Sequence, residues 1–501
     1  MSGGETIALS LISHTNAGKT TLARTLLGRE VGEVRDAPHV TREASAHTLI
    51  ETPAGDALLL WDTPGFGDSA RLARRLRQQG NPIGWFLSQV WDRFRDPAFW
   101  LSQLAVRNVR EQADVVLYLV NAAEVPAEAG YLGPEMDILE WIGRPVIVLL
   151  NQTGAPRPPA DEAADEECWR QALAGRSLVR SLLTLDAFTR CWVQEGLLLA
   201  EVGKVLSGER QAAVGRLASA WRARREAQFA EAMAVLAASL ARAVSDSEAL
   251  SEGRLKGALR DLGRAIGVSR ASGDDEQTRA LAALGARLDA DLLTTLDRLI
   301  ALHQLAGQAS ADLRERLART VQRQAPVNES TAALLGGAVS GALGGLGADL
   351  ATGGLTLGGG LLTGAVLGAL SAAGLARGVN VARGRLGASL RWDDAFLIAL
   401  AGSLLLRYLA VAHYGRGRGE WREAEYPVFW PPLVDEVVLL QRSALLAACT
   451  GRDTLSGEAL ARRLQPLLSE MARTLLKRIH PAARATLSAG GANGAAQDRI
   501  A

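Results

Sequence analysis

Lysine is almost missing from this chain. Of 55 basic residues only four are lysine (Lys19, Lys204, Lys256 and Lys477), and Lys19 is the only one in the first 203 residues. Arginine serves wherever else a cation is needed. A lysine kept at one early position therefore points to a site that wants a compact ammonium rather than a guanidinium fork. Cysteine is scarce as well. Cys168, Cys191 and Cys449 lie far apart, in neither a disulfide framework nor a metal-ligand spacing, which fits a reducing compartment. The six histidines, His14, His39, His47, His303, His413 and His480, show no metal-ligand pairing either. Net charge is close to absent: 55 basic against 54 acidic residues leave +1, so no global electrostatic footprint marks a nucleic-acid partner. Met1–Ser13 carries Glu5 and no basic n-region, so no signal peptide is expected there. No Ser/His/Asp or Cys/His arrangement stands out.

What is present is ample apolar content. At 501 residues and 48% hydrophobic composition, the chain is long enough for about three domains with real cores. Thr6–Ile12 reads as an apolar strand, followed by a Gly-containing loop and a helix over Thr20–Leu27. Thr48–Glu51 and Ala57–Trp61 read as a hairpin turning at Pro53–Asp56. Ala113–Val120 and Pro145–Leu150 are apolar runs of the kind buried on both faces of a parallel sheet. Helical stretches lie between them. The alternation predicts an α/β domain over residues 1–200, with a mostly parallel sheet and flanking helices. From Glu201 to Gln324 strand signals fade, and Ala/Leu/Arg/Glu-rich sequence predicts a helical bundle or stalk over 201–330. Residues 331–376 are Gly-rich and apolar, 377–487 read as helical again, and 488–501 as a disordered tail. The fold class is thus an α/β domain, with a mostly parallel sheet and flanking helices, followed by a mainly α-helical C-terminal region containing a Gly-rich helical hairpin.

The lone early lysine sits in Ser13-His14-Thr15-Asn16-Ala17-Gly18-Lys19-Thr20, between the first strand and the first helix. This is the phosphate-binding pattern G-x-x-x-x-G-K-[ST] with Ser in place of the first Gly. Its chemistry needs loop N–H groups and a helix N-terminus around the β- and γ-phosphates. Gly18 lets the backbone approach, Lys19 brings a point charge, and the Thr20 hydroxyl ligates Mg²⁺, with Thr21 following in the same turn. Asp62-Thr63-Pro64-Gly65 ends the strand Ala57–Trp61. There the Asp62 carboxylate falls near Mg²⁺ and the Gly65 N–H near the γ-phosphate. Thr41, in the polar segment Asp36–Ser45, is a candidate switch threonine for Mg²⁺. Asn151-Gln152-Thr153-Gly154 closes the strand Pro145–Leu150, where a GTPase carries N-K-x-D. Asn151 is kept and the Gln152 stem can lie along a base. Gly154, however, has no carboxylate to accept hydrogen bonds from guanine, so the guanine preference is inferred rather than read.

Taken together, Ser13–Thr20, Thr41, Asp62–Gly65 and Asn151–Gly154 resemble the Era/TrmE-like GTPases of the translation-factor class. The phrases LISHTNAGKTTLARTLLG, DAPHVTRE and PVIVLLNQTG are similar to a bacterial family in which such a domain precedes an uncharacterised C-terminal domain. The resemblance implies bound GTP or GDP with Mg²⁺, and catalysis by positioning and charge stabilisation through Lys19, Thr41 and Gly65. It also places Asn16 where potassium-activated members carry a P-loop asparagine, which implies K⁺ stimulation. Phe66 stands where many GTPases carry a water-orienting Gln. A hydrophobic side chain cannot orient water, so slow turnover is expected unless K⁺, a partner or a G-domain homodimer accelerates it.

Two further features bear on partners. Gly337, Gly341 and Gly345, then Gly360, Gly364 and Gly368, repeat at the i, i+4 spacing that puts a smooth stripe on one helix face. With Asp349 at the turn, residues 331–376 read as a hairpin that contacts membrane, and the protein as cytoplasmic, at the inner face of the cell membrane. A buried soluble hairpin is the alternative. Trp85, Phe86, Trp91, Phe94, Phe99 and Trp100 cluster after the switch region and read as domain packing. Arg71, Arg74, Arg75 and Arg77 read as a solvated helix face. The functional expectation is a nucleotide-dependent switch or remodelling factor. A non-enzymatic membrane or oligomer scaffold is the alternative, and an RNA- or ribosome-associated factor is disfavoured by the neutral charge, nucleic acid being an unlikely partner on that ground.

Overall fold

Seven of the eight residues of strand β1 (Thr6–Ser13) are buried, and this strand organises the N-terminal part of the chain. The computed structural model describes residues 4–14, 17–28, 45–78, 97–154, 156–250, 275–308, 379–384, 387–421, 426–484 and 487. Thr15, Asn16, Thr41, the aromatics Trp85, Phe86, Trp91 and Phe94, the glycine-rich segment 331–376 and the tail 488–501 lie outside those residues. Strand β1 is followed by α1 (Lys19–Leu27), β2 (Ser45–Glu51) and β3 (Ala57–Asp62). Next come α2 (Ser69–Gln78), α3 (Pro97–Gln112), β4 (Val115–Asn121) and α4 (Leu132–Ile142). Strand β5 (Val146–Asn151), α5 (Pro159–Ala172), β6 (Val179–Thr184) and α6 (Trp192–Val205) complete the α/β part.

The sheet order is β2-β3-β1-β4-β5-β6. Only β2 is antiparallel to its neighbour; the other four pairings are parallel. Strands β4 and β5 read VVLYLVN and VIVLLN because both faces are covered by helices, and almost every residue in them is buried. The chain order reverses on either side of β1, which lies between β3 and β4. In an open parallel sheet such a reversal opens a crevice at the carboxyl ends of the strands. The loop after β1 leaves from that edge.

Helices continue with α7 (Gly208–Ser245) and α8 (Asp275–Leu302), then α9 (Asp394–Ala412), α10 (Trp430–Leu440), α11 (Arg442–Cys449) and α12 (Gly457–Ile479). The C-terminal region is mainly helical, as expected, with one difference. Strands β7 (Ser247–Leu250), β8 (Val379–Gly384) and β9 (Gly387–Trp392) form a three-stranded antiparallel sheet in the order β7-β9-β8. The reading of everything past Arg377 as helix is therefore corrected. The strands are only four to six residues long, too short for a period of two to stand out against alanine- and arginine-rich surroundings.

The chain divides into two compact units. The first comprises Met1–Ala227, Ala412–Gly419 and Leu476–Ala501; the second comprises Gln228–Val411 and Glu420–Leu475. In the first, one apolar cluster gathers Ile12, Phe66, Leu72, Phe99, Val106, Tyr118, Val148 and Trp169 on one side of the sheet. In the second, Tyr408 is buried between the rings of Phe229 and His303, and Trp392 stacks on Phe396 with ring centroids 4.1 Å apart. By length and composition α7 and α9 could cross a membrane, but 56% and 67% of their apolar windows are buried inside the fold.

Candidate functional site

Gly18 caps α1 with φ +88, a left-handed backbone that disfavours side chains. A Cβ there would also lie 2.6 Å from Asn151 Nδ2. Glycine is thus required twice, by torsion and by close approach. Lys19 begins the helix, is only 8% exposed, and donates from Nζ to Ser13 Oγ at 2.9 Å. Ser13, which stands where glycine is usual, is accommodated because its hydroxyl turns onto the His14 carbonyl and accepts from Lys19. One residue on, Thr20 donates to Asp62 Oδ2 at 2.7 Å. Asp62 is buried at the end of β3, and its Oδ1 has no hydrogen-bond partner.

The electrostatics of this pair define what the site accepts. Burial lowers the Lys19 pKa, against the opposing pull of Asp62 and Glu135. Burial likewise raises the Asp62 carboxyl, against the Thr20 hydrogen bond and the Lys19 charge. In each group burial outweighs the attraction of the opposite charge, and neither makes a salt bridge among the described residues. An anion beside Lys19 and a cation beside Asp62 would relieve both, and a Mg²⁺-bound phosphate chain is one ligand that brings both signs together. The orphaned Asp62 Oδ1 and the Thr20 hydroxyl are hard oxygen donors of the kind Mg²⁺ takes.

Gly65 closes the same corner. A Cβ on it would meet Lys19 Nζ at 3.1 Å and the Ser13 carbonyl at 3.2 Å. The next residue explains the placement: the Phe66 N–H donates to the Ser13 carbonyl at 3.1 Å, and its ring is fully buried in the apolar cluster. Phe66 is a core anchor for the loop, held further by a hydrogen bond from Ser102 to its carbonyl. Thr63 is tied to the Leu11 carbonyl. Pro64 lies between these two buried positions. Arg71, two turns of chain later, stacks over the Phe99 ring at 4.0 Å, so its guanidinium is committed to packing as well as to solvent. Thr41, Thr15 and Asn16 lie outside the described residues, so the candidate Mg²⁺ switch threonine and the K⁺ asparagine have no geometry here.

Asn151 is fully buried, and its amide works within the protein. Nδ2 donates to the Ala17 carbonyl at 2.7 Å and Oδ1 accepts from the Ala187 N–H at 2.8 Å. It therefore ties the phosphate loop to the loop after β6. Asp186 braces that loop in turn, accepting from Thr153 N at 2.7 Å, Thr153 Oγ1 at 2.9 Å and Phe188 N at 2.7 Å. Gln152 and Gly154 both have positive φ, 60 and 84. Nothing lies within 4 Å of a Cβ built on Gly154, so the place of the missing base-reading carboxylate is open space.

Two groups escape sequence reasoning. Glu135, fully buried on α4, accepts from Tyr118 at 2.7 Å and pairs with His14 Nδ1 at 2.9 Å. The His14 ring also stacks on Tyr131 at 4.2 Å, and Tyr131 donates to Glu124 at 2.7 Å. This network fixes one side of the phosphate loop. His14 and Glu135 are 121 residues apart in sequence, and no motif links them. Asp186 follows a six-residue strand, Val179–Thr184, that mixes polar and apolar residues and gives no clear period; Asp before Ala at a strand end is the only available signal.

Comparison with known proteins bears on this same stretch. The pattern of the family described as 50S ribosome-binding GTPase matches residues 9–152. GTPase Der of Geobacter metallireducens is 28% identical over 162 residues, which cover 31% of this chain and 29% of that protein. GTPase Era of Heliobacterium modesticaldum is 27% identical over 147 residues, covering 29% of this chain and 38% of that protein. The chain thus spans well under half the length of either relative. Among solved structures, Aquifex aeolicus Era bound to GDP·AlF4⁻ aligns over 41% of this chain and 58% of its own, at 17% identity and a TM-score of 0.31. Era in complex with MgGDPNP and a fragment of 16S ribosomal RNA aligns over the same shares, at 18% identity and a TM-score of 0.31.

Proposed function

We propose that this chain, whose residues 9–152 form an Era-like P-loop GTPase domain, is a GTP-binding switch that hydrolyses its nucleotide slowly. The observation that carries the reading is the pair Lys19 and Asp62, 43 positions apart, each buried and without a salt bridge among the described residues. A triphosphate with Mg²⁺ supplies both. In this reading Lys19 and the Gly18–Thr20 turn hold the β- and γ-phosphates, while Thr20 and Asp62 hold Mg²⁺. The metal neutralises charge on the transferring group. Gly65 lies against Lys19, so a γ-phosphate there bears directly on the Asp62–Gly65 segment, and its loss releases that segment. Thr41 completes the Mg²⁺ shell, Asn16 holds K⁺, and Gln152 lies along the base.

Slow turnover follows from Phe66. Its ring is committed to the core, so this position offers no group to orient water. K⁺ at Asn16, a partner or a G-domain homodimer is proposed to supply the missing stabilisation. Single-turnover hydrolysis of GTP in NaCl and in KCl tests this. Faster cleavage in KCl is expected, and equal, fast rates in both salts would refute it. Contact with the inner face of the cell membrane through residues 331–376 belongs to the same proposal and rests on composition alone.

A second reading, ribosome or RNA association, is favoured by the description of the matched family. That description runs against the expectation, drawn from neutral net charge, that nucleic acid is disfavoured. Salt-dependent binding to ribosomal RNA would establish this reading.

A further inference from the structure

The sequence separates Cys191, His413 and His480 by up to 289 positions, and no spacing rule joins them. The fold does. Their ligand atoms all lie within 4.8 Å of one another, and the Nε2 atoms of the two histidines are 2.9 Å apart with the rings stacked at 17°. All three residues belong to the first compact unit. Cys191 and His413 are buried and His480 is partly buried. Sequence spacing offers no metal-ligand pattern for these residues; the fold alone brings them together.

We propose that Cys191, His413 and His480 form a Zn²⁺ site that fastens the 412–419 segment and the end of α12 to the loop after β6. The donor set is one thiolate and two imidazoles, which suits Zn²⁺ and leaves one tetrahedral position for water or another ligand. With Zn–N near 2.05 Å and Zn–S near 2.3 Å, a tetrahedron needs about 3.3 Å between nitrogens and about 3.6 Å between nitrogen and sulfur. The observed separations, from 2.9 Å to at most 4.8 Å, bracket those values, so closing on an ion requires shifts of only a few tenths of an ångström to about one. Burial by itself pushes the Cys191 thiol up, so it is the ion that must draw the proton off. Cys191 is the N-cap of α6, and its side chain accepts from the backbone of the helix's first turn. On binding, the thiol proton leaves to solvent as the Zn–S bond forms.

The surroundings show what such an ion would hold. Residues 187–190 and 413–417 already lie side by side. Arg190 N donates to the His413 carbonyl at 3.2 Å, Gly415 N to Phe188 at 3.2 Å and Gly417 N to Ala187 at 3.1 Å. Arg418 donates to the Phe188 carbonyl at 2.7 Å and to Thr189 Oγ1 at 2.9 Å. Ala187 is the residue that Asn151 links to the phosphate loop. The metal would therefore lock a C-terminal segment onto the loop next to the nucleotide site. The proposal does not depend on which nucleotide binds.

The test uses the untagged full-length chain. Zinc content after gel filtration is measured for the parent, Cys191→Ser, His480→Gln and, as controls, Cys168→Ser and Cys449→Ser. About one zinc per chain is expected in the parent and controls, and about one tenth of that or less in the two site variants. Because a site variant can fail to fold, the chelator-stripped parent is also titrated with Co²⁺. A near-ultraviolet thiolate-to-cobalt band with visible bands of tetrahedral intensity, displaced by Zn²⁺, is expected. A folded parent that takes up neither zinc nor Co²⁺ with a thiolate band would overturn the proposal. So would metal content unchanged in Cys191→Ser.

Discussion

Asn151→Ala separates a residue that touches the ligand from one that builds the site. The buried amide makes two hydrogen bonds, 2.7 Å to the Ala17 carbonyl and 2.8 Å from the Ala187 N–H. Truncation leaves both backbone groups buried and unpaired, at about 1–3 kcal/mol each. The nucleotide-free chain should therefore lose about 2–6 kcal/mol of stability. Asn151→Asp should not rescue it: an oxygen is kept for Ala187, but another is turned onto the Ala17 carbonyl. The assay is urea unfolding of the nucleotide-free chain, followed by circular dichroism and tryptophan fluorescence, with nucleotide affinity measured on the same preparations. A clear drop in the transition midpoint is expected along with weakened binding. If affinity fell while nucleotide-free stability stayed within about 0.5 kcal/mol of the parent, Asn151 would be acting on the ligand, and the tie between the two loops would carry no weight.

Other outcomes follow from the same geometry. Lys19→Met removes a buried ammonium whose pKa is already lowered by burial. Nucleotide affinity should fall by about 10–100-fold, while thermal unfolding of the nucleotide-free chain stays unchanged or moves upward. Gly154→Asp puts a carboxylate into open space at a φ of 84, a strain of about 1 kcal/mol that Asp tolerates better than most residues. Preference for GTP over ATP should rise about tenfold or more, read from competition titrations. Asp289 is pushed up to about 6 by burial, with Arg407 opposing. Its folded form keeps a proton that the unfolded chain releases above about 4, so its contribution to stability declines as pH rises from about 4 to about 6 and stays low above that. Asp289→Asn should therefore stabilise the chain by about 1 kcal/mol near neutral pH, after allowance for partial solvent exposure, and by nothing near pH 3.5. Unfolding curves at both pH values check it.

The parts legible in sequence were those set by local chemistry. Long apolar runs gave β4 and β5 to within two residues because strands buried on both faces leave no polar interruption. The Gly18-Lys19-Thr20 turn was legible because backbone approach, charge and hydroxyl must come from adjacent residues. The parts not legible depend on chain crossings. Glu135 reaches His14 across 121 positions, and His413 reaches His480 across 67. Strands β6 through β9 were missed for a different reason: each is six residues or fewer, and no apolar alternation marks them off. Phe66 reads in sequence only as a side chain unable to orient water, whereas in the fold its ring is a buried core anchor. Its backbone also anchors the phosphate loop through Ser13.

The most direct measurement is equilibrium titration of the nucleotide-free chain with fluorescent GTP and ATP analogues, with Mg²⁺ and with excess EDTA, for the parent and Lys19→Ala. Saturable one-to-one binding of the GTP analogue is expected, weaker without Mg²⁺ and weaker by about 10–100-fold in the folded variant. Failure of the folded parent to bind either triphosphate, or undiminished binding by Lys19→Ala, would contradict a phosphate site built on Ser13–Thr20.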